Sequence, residues 1–103
     1  MRTQPRNKAR LVSKPRLFSL GQTVQTPNAA KQISNPIYIF ACLLKHVTGD
    51  WGTVCPEDKR ANDQAVKNGS RILSSYVAPN GTKFWIITEA DRSSTCVLLP
   101  EDY

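Results

Sequence analysis

The sequence has one histidine, His46, and three cysteines, Cys42, Cys55 and Cys96, in 103 residues. An odd cysteine count with no Cys-x-x-Cys spacing argues against a disulfide framework and against a zinc site. A four-ligand metal site would need all three thiols together with His46, so neither metal nor cofactor is expected. The cysteines read as buried or half-buried thiols of a reducing compartment. Long apolar runs are missing as well. Residues 37–44, the longest candidate, fall well short of the ~18 residues of a membrane span. The basic N-terminus has no apolar core of a secretory signal, and Pro5 and Pro15 interrupt any amphipathic transit peptide. A cytoplasmic protein without a membrane segment is expected. No Gly-x-Gly-x-x-Gly or P-loop pattern is present to cradle a phosphate, and no Gly-x-Ser-x-Gly elbow to carry a serine nucleophile.

Acidic residues are absent from the first 16 positions, which carry Arg2, Arg6, Lys8, Arg10, Lys14 and Arg16. Residues 17–103 hold eight bases and eight acids, so the whole net charge of +6 sits in the tail. The pI of 9.6 therefore says nothing of a basic face on the folded part. Residues 1–15 are too polar to offset ordering entropy and read as a disordered basic arm, followed by one domain over 16–103. Such an arm suits nucleic acid, where each neutralised phosphate releases counterions, and it suits a solubilising tail equally well.

The domain pattern is α+β. Residues 17–24 alternate loosely around Gly21 and predict a first strand. Thr26-Pro27 and Asn35-Pro36 each read as an N-cap followed by proline in the first helical turn. In the second helix Ile39, Phe40, Leu43, Leu44 and Val47 predict one broad apolar face against a sheet. Pro56-Glu57-Asp58 opens a third helix, whose acids complement the dipole and whose Ala61 and Ala65 form a narrow core stripe. It stops at Asn68-Gly69. Three strands then form an antiparallel meander over 70–78, 82–89 and 95–99, with a hairpin at Pro79-Asn80-Gly81. The expected architecture is two to three helices on one face of a small antiparallel sheet.

Residues 46–52, His-Val-Thr-Gly-Asp-Trp-Gly, concentrate the chemistry at the end of the second helix. His46 suits a cation capping the helix carbonyls or, with its near-neutral pKa, a general acid or base oriented by Asp50. Trp51 is expected in the core, with Gly49 and Gly52 supplying positive φ. Arg71 and Tyr76, five residues apart on one strand, should face opposite ways. Arg92 is expected to pair with Glu89 and Asp91.

Residues 46–52, Asn62-Asp63, residues 70–73 with Tyr76, residues 85–92 (Trp-Ile-Ile-Thr-Glu-Ala-Asp-Arg) and residues 99–103 (Leu-Pro-Glu-Asp-Tyr) occur in this order. Together they resemble a family of short uncharacterised bacterial proteins found on plasmids and integrative elements. The resemblance covers residues 16–103. It implies a cytoplasmic, mobile-element setting and carries no established activity to transfer.

Two function classes remain open. One is a non-enzymatic accessory protein that binds a protein partner through the domain or nucleic acid through the arm. The other rests on a looser similarity to the barnase–EndoU–colicin–RelE group of small metal-independent ribonucleases. That similarity implies His46, Arg71, Tyr76, Arg92 and Thr95 around a phosphodiester, with His46 as base or acid and an arginine on the phosphorane charge. It requires these side chains to share one cleft. The sequence sets no oligomeric state.

Overall fold

The structure, a computed structural model, describes residues 14–103. Most of the basic arm, including Arg2, Arg6, Lys8 and Arg10, lies outside the described residues. The order of elements is β1 (Gln22–Gln25), α1 (Pro27–Gln32), α2 (Pro36–Val47), α3 (Pro56–Asn68), β2 (Ile72–Val77), β3 (Lys83–Thr88) and β4 (Ser94–Leu98), closed by a 3-10 turn at Pro100–Asp102. The fold is α+β, with helices packed on a four-stranded sheet of order β1-β4-β3-β2. Strands β2, β3 and β4 form the antiparallel meander. Strand β1 joins β4 in parallel, which makes the sheet mixed.

The helix starts follow from their caps. Thr26 Oγ1 accepts from Ala29 N–H at 3.1 Å, and Asn35 Oδ1 accepts from Ile37 N–H at 3.0 Å. Each cap precedes a proline, whose missing N–H costs nothing in a first turn. Helix α3 ends on Gly69 in the left-handed conformation, φ 77°.

Three local expectations are corrected. The first strand is shorter than residues 17–24, because the chain turns at Gly21 (φ 63°), where a Cβ would sit 2.4 Å from the Arg92 carbonyl oxygen. The segment before it still belongs to the domain: Leu17 N–H donates to Val47 O at 2.8 Å. On α2 the apolar residues divide between two faces. Ile39, Cys42, Leu43, His46 and Val47 are buried, whereas Phe40 and Leu44 are exposed. On α3 the inward residues are Asn62 and Ala65, and Ala61 faces outward.

One core cluster joins Ile39, Cys42 and Leu43 of α2 to Tyr76, Phe84, Ile86 and Val97 of the sheet. A second gathers Trp51, Ala65 and Ile72, with Phe18, Val54 and Val66 against it. His46 stands where they meet. It lies one turn beyond Cys42 and Leu43, and its ring meets the rings of Phe18 and Trp51 edge-on at 5.2 and 5.9 Å.

Candidate functional site

His46 is fully buried, on the last turn of α2. Its Nδ1 lies 2.5 Å from Ser74 Oγ on β2, and its Nε2 lies 2.9 Å from Thr88 Oγ1 on β3. Thr88 Oγ1 is 2.7 Å from Thr95 Oγ1 on β4. Thr95 in turn donates to the Leu20 carbonyl at 2.7 Å.

The far end of this chain fixes its direction. A carbonyl only accepts, so the Thr95 proton is committed to Leu20. Thr88 must then donate to Thr95, and Nε2–H of His46 must donate to Thr88. That leaves Nδ1 bare, to accept from Ser74. The geometry therefore assigns the neutral Nε2–H tautomer, with every hydroxyl used once. A charged ring would reverse the Ser74 contact and turn that hydroxyl from donor to acceptor. Burial, followed by the positive charge of Arg92, lowers the His46 pKa to about 3. His46 is thus an uncharged core residue rather than a cation at the helix end, and its ring has no surface toward solvent. Asp50 does not orient it. The Asp50 carboxylate accepts from Gly52 N–H at 3.2 Å, within its own loop.

The loop positions fall as expected. Trp51 is buried and donates from Nε1 to Asp63 Oδ1 at 3.0 Å. Gly49 and Gly52 both have positive φ. Beside the loop lies an open cavity of about 340 Å³, with Lys14, Lys59 and Asp50 among its lining residues.

The other sequence candidates scatter. Thr95 is brought to His46, but inside the core. Tyr76 is buried beneath the helices and donates to the Asp50 carbonyl at 2.6 Å. Burial raises its hydroxyl pKa. Arg71 lies on the opposite side of the strand, as expected. It donates to the Tyr103 hydroxyl and sits 5.4 Å over that ring. Arg16 is exposed.

Arg92 binds carbonyls and not the neighbouring carboxylates, which corrects the expected pairing. Its guanidinium donates to Ala65 O at 2.8 Å, Ser70 O at 2.6 Å and Glu89 O at 3.1 Å. It also lies 5.4 Å over the Phe18 ring. The Ala65 carbonyl belongs to the last turn of α3, the negative end of the helix dipole, where a fixed cation is favourable. Among the described residues, no group of three or more His, Cys, Asp or Glu side chains is placed to hold a metal ion. No described helix is long and apolar enough to cross a membrane.

One surface was missed by the sequence reading. Ile37, Phe40 and Leu44 are 78%, 61% and 42% exposed. With exposed Ala41 they form a stripe at i, i+3, i+4 and i+7 on the face of α2 turned from the sheet. Along the sequence, residues 1–49 carry eight bases and no acid, and all eight acids lie from Asp50 onward. The signal was present as surplus: α2 has more apolar positions than one 3.6-residue face can bury.

Comparison with known protein families, with curated proteins and with solved structures gave no match.

Proposed function

We propose that this chain is a non-enzymatic binding module that docks a protein partner on the exposed stripe of α2. The observation that carries the reading is the exposure of Ile37, Phe40 and Leu44 on a helix whose other face is already committed to the core. Large apolar side chains aligned at helical spacing are the usual anchors of helix-in-groove recognition. Helix α2 itself carries Lys45 and no acid, which favours an amphipathic occupant whose apolar face is flanked by carboxylates. The sequence resemblance adds a setting, an accessory role on a bacterial plasmid or integrative element, in the cytoplasm.

A photo-crosslinking residue at position 40, in the full chain and in its source cells, tests this. The expected result is a discrete adduct that is lost at high salt and absent when the crosslinker replaces Lys67. No adduct at position 40, or the same adducts from both positions, overturns it.

Nucleic-acid binding through Arg2, Arg6, Lys8, Arg10, Lys14 and Arg16 is the second reading, favoured by the same one-sided charge. It requires a salt-sensitive gel shift that disappears on deletion of residues 1–15. The ribonuclease reading draws no support from the position of His46, which a phosphodiester could reach only if the core opened.

A further inference from the structure

The two edges of the sheet are finished differently. At the β2 edge, Leu73, Ser75 and Val77 turn backbone groups outward, and all but the Val77 N–H are met within the chain. Leu73 N–H donates to Asn62 Oδ1 at 3.2 Å, and its carbonyl accepts from Asn62 Nδ2 at 2.8 Å. Ser75 N–H donates to Trp51 O at 3.1 Å, and its carbonyl accepts from Thr53 N–H at 2.7 Å. The Val77 carbonyl accepts from the Tyr38 hydroxyl at 3.0 Å.

Among the described residues, the β1 edge has no such cover. Gln22 and Thr26 donate to the Ser93 and Val97 carbonyls of the β4 side, each at 3.0 Å. By alternation, Thr23 and Gln25 turn both N–H and C=O away from the sheet. Among the described residues nothing bonds to these four groups. All four residues of β1 are exposed. Edge strands are ordinarily guarded by a charge, a proline or a bulge. Gln-Thr-Val-Gln has none of these, and no charged residue lies between Arg16 and Lys31.

The outer face of the sheet, turned from α2, points to the occupant. The register pairs Leu73 with Ile87, Ile87 with Cys96, and Cys96 with Val24. Paired residues share a face, so these side chains form one apolar row that runs out at Val24, 42% exposed.

We propose that β1 is where a second copy of this chain adds edge to edge, antiparallel, with the two-fold axis at Val24. Thr23 then faces Gln25 of the other copy and exchanges two backbone hydrogen bonds with it, and symmetry repeats the exchange. Val24 meets its own image in a non-hydrogen-bonded pair, so each apolar row continues into the other. Two four-stranded sheets become one continuous sheet. A second copy fits better than a foreign peptide, because this one axis satisfies all four outward groups, extends the row and brings no like charges together at the strand. The contact is short, so association is reversible and concentration-dependent. This surface is separate from the α2 stripe and does not rest on it.

The test is light scattering of the full chain over a wide concentration range. The mass should climb from 11.5 kDa toward twice that value. Thr23→Pro deletes an outward N–H without touching the β4 ladder, and Val24→Lys sets like charges at the axis. Both should stay monomeric with an unchanged circular dichroism spectrum. A monomer at every concentration, or a dimer that survives both variants, overturns the proposal. Register is read by cysteine crosslinking in a chain with Cys55→Ser and Cys96→Ser. Val24→Cys should form a disulfide-linked dimer, since such pairs lie about 4.5 Å apart at Cα, within disulfide range. Thr23→Cys, facing Gln25, should not. Crosslinking of both, or of neither, overturns the register and with it the proposal.

Discussion

Ser74 Oγ donates to His46 Nδ1 across 2.5 Å, a direction that holds only while the ring is neutral. The folded-state pKa of about 3 lies below the ordinary histidine value of 6.5. Between these two values the unfolded chain binds the extra proton, so stability falls as pH is lowered through that window and is fully present above it. The slope approaches about 1.4 kcal/mol per pH unit, which amounts to about 2 kcal/mol between pH 6.5 and 5. Urea unfolding at pH 7.5 and 5 measures it. His46→Gln, which cannot titrate, should flatten the profile. The carboxyls of Asp63 and Asp102, held low by their hydrogen-bond donors, add their own loss only at more acidic pH.

Thr88 stands in the middle of the same chain, accepting from His46 and donating to Thr95. Thr88→Val keeps the shape but strands two buried polar groups. Ser74→Ala strands one. With about 1–3 kcal/mol for each buried group left unpaired, Thr88→Val should be the costlier by at least about 1 kcal/mol. Equal losses in denaturant melts would contradict the placement of Thr88 as the shared partner of His46 and Thr95.

Arg92 ties the end of α3 to the β3–β4 turn through three carbonyls. Arg92→Met keeps the stem and loses those bonds, an expected cost of about 1.5–3 kcal/mol. Because the partners are carbonyls and not carboxylates, that loss should change little between about 0.1 and 1 M salt. A loss that vanished at high salt would restore the pairing with Glu89 and Asp91.

The helices and the meander were legible because their signals are local. Thr26-Pro27, Asn35-Pro36 and Pro79-Asn80-Gly81 act within a few residues of themselves. The His46 chain was not, since Ser74, Thr88 and Thr95 lie 28 to 49 residues away. A trace of it was readable all the same. Each of the three is a small hydroxyl residue in phase with core positions, Ser74 between Ile72 and Tyr76, Thr88 after Phe84 and Ile86, and Thr95 before Val97. Polar residues on a core face require partners, and the one nearby polar ring on α2 is His46. The role of Asn62 as a rung on the β2 edge had no local signal at all.

Gly52 and Gly69 share a left-handed φ, 74° and 77°, but not their surroundings. A Cβ at Gly52 would fall 1.9 Å from Ser75 O, whereas at Gly69 nothing lies within 4 Å. Gly69→Ala should therefore cost only the conformational term, about 1–2 kcal/mol. Gly52→Ala adds a backbone collision and should break the Trp51–Thr53 cover of β2, costing well beyond that. Thermal melts of the two variants give the comparison directly.

Leu43 and Phe40 are neighbours on α2 and were expected on one apolar face, yet Leu43 is 8% exposed and Phe40 is 61% exposed. Substitution separates a core residue from an exposed one. Leu43→Ala removes packing against the sheet and should cost about 2–5 kcal/mol. Phe40→Ser touches little that is buried, and its stability should stay within about 0.5 kcal/mol of the parent chain. If α2 docks a partner, the order reverses for binding. Phe40→Ser in the folded protein should abolish partner capture, while a mild core change such as Leu43→Met leaves it intact. Were Phe40→Ser to unfold the chain, the stripe would belong to the core, and the exposed face from which the docking function is argued would not exist.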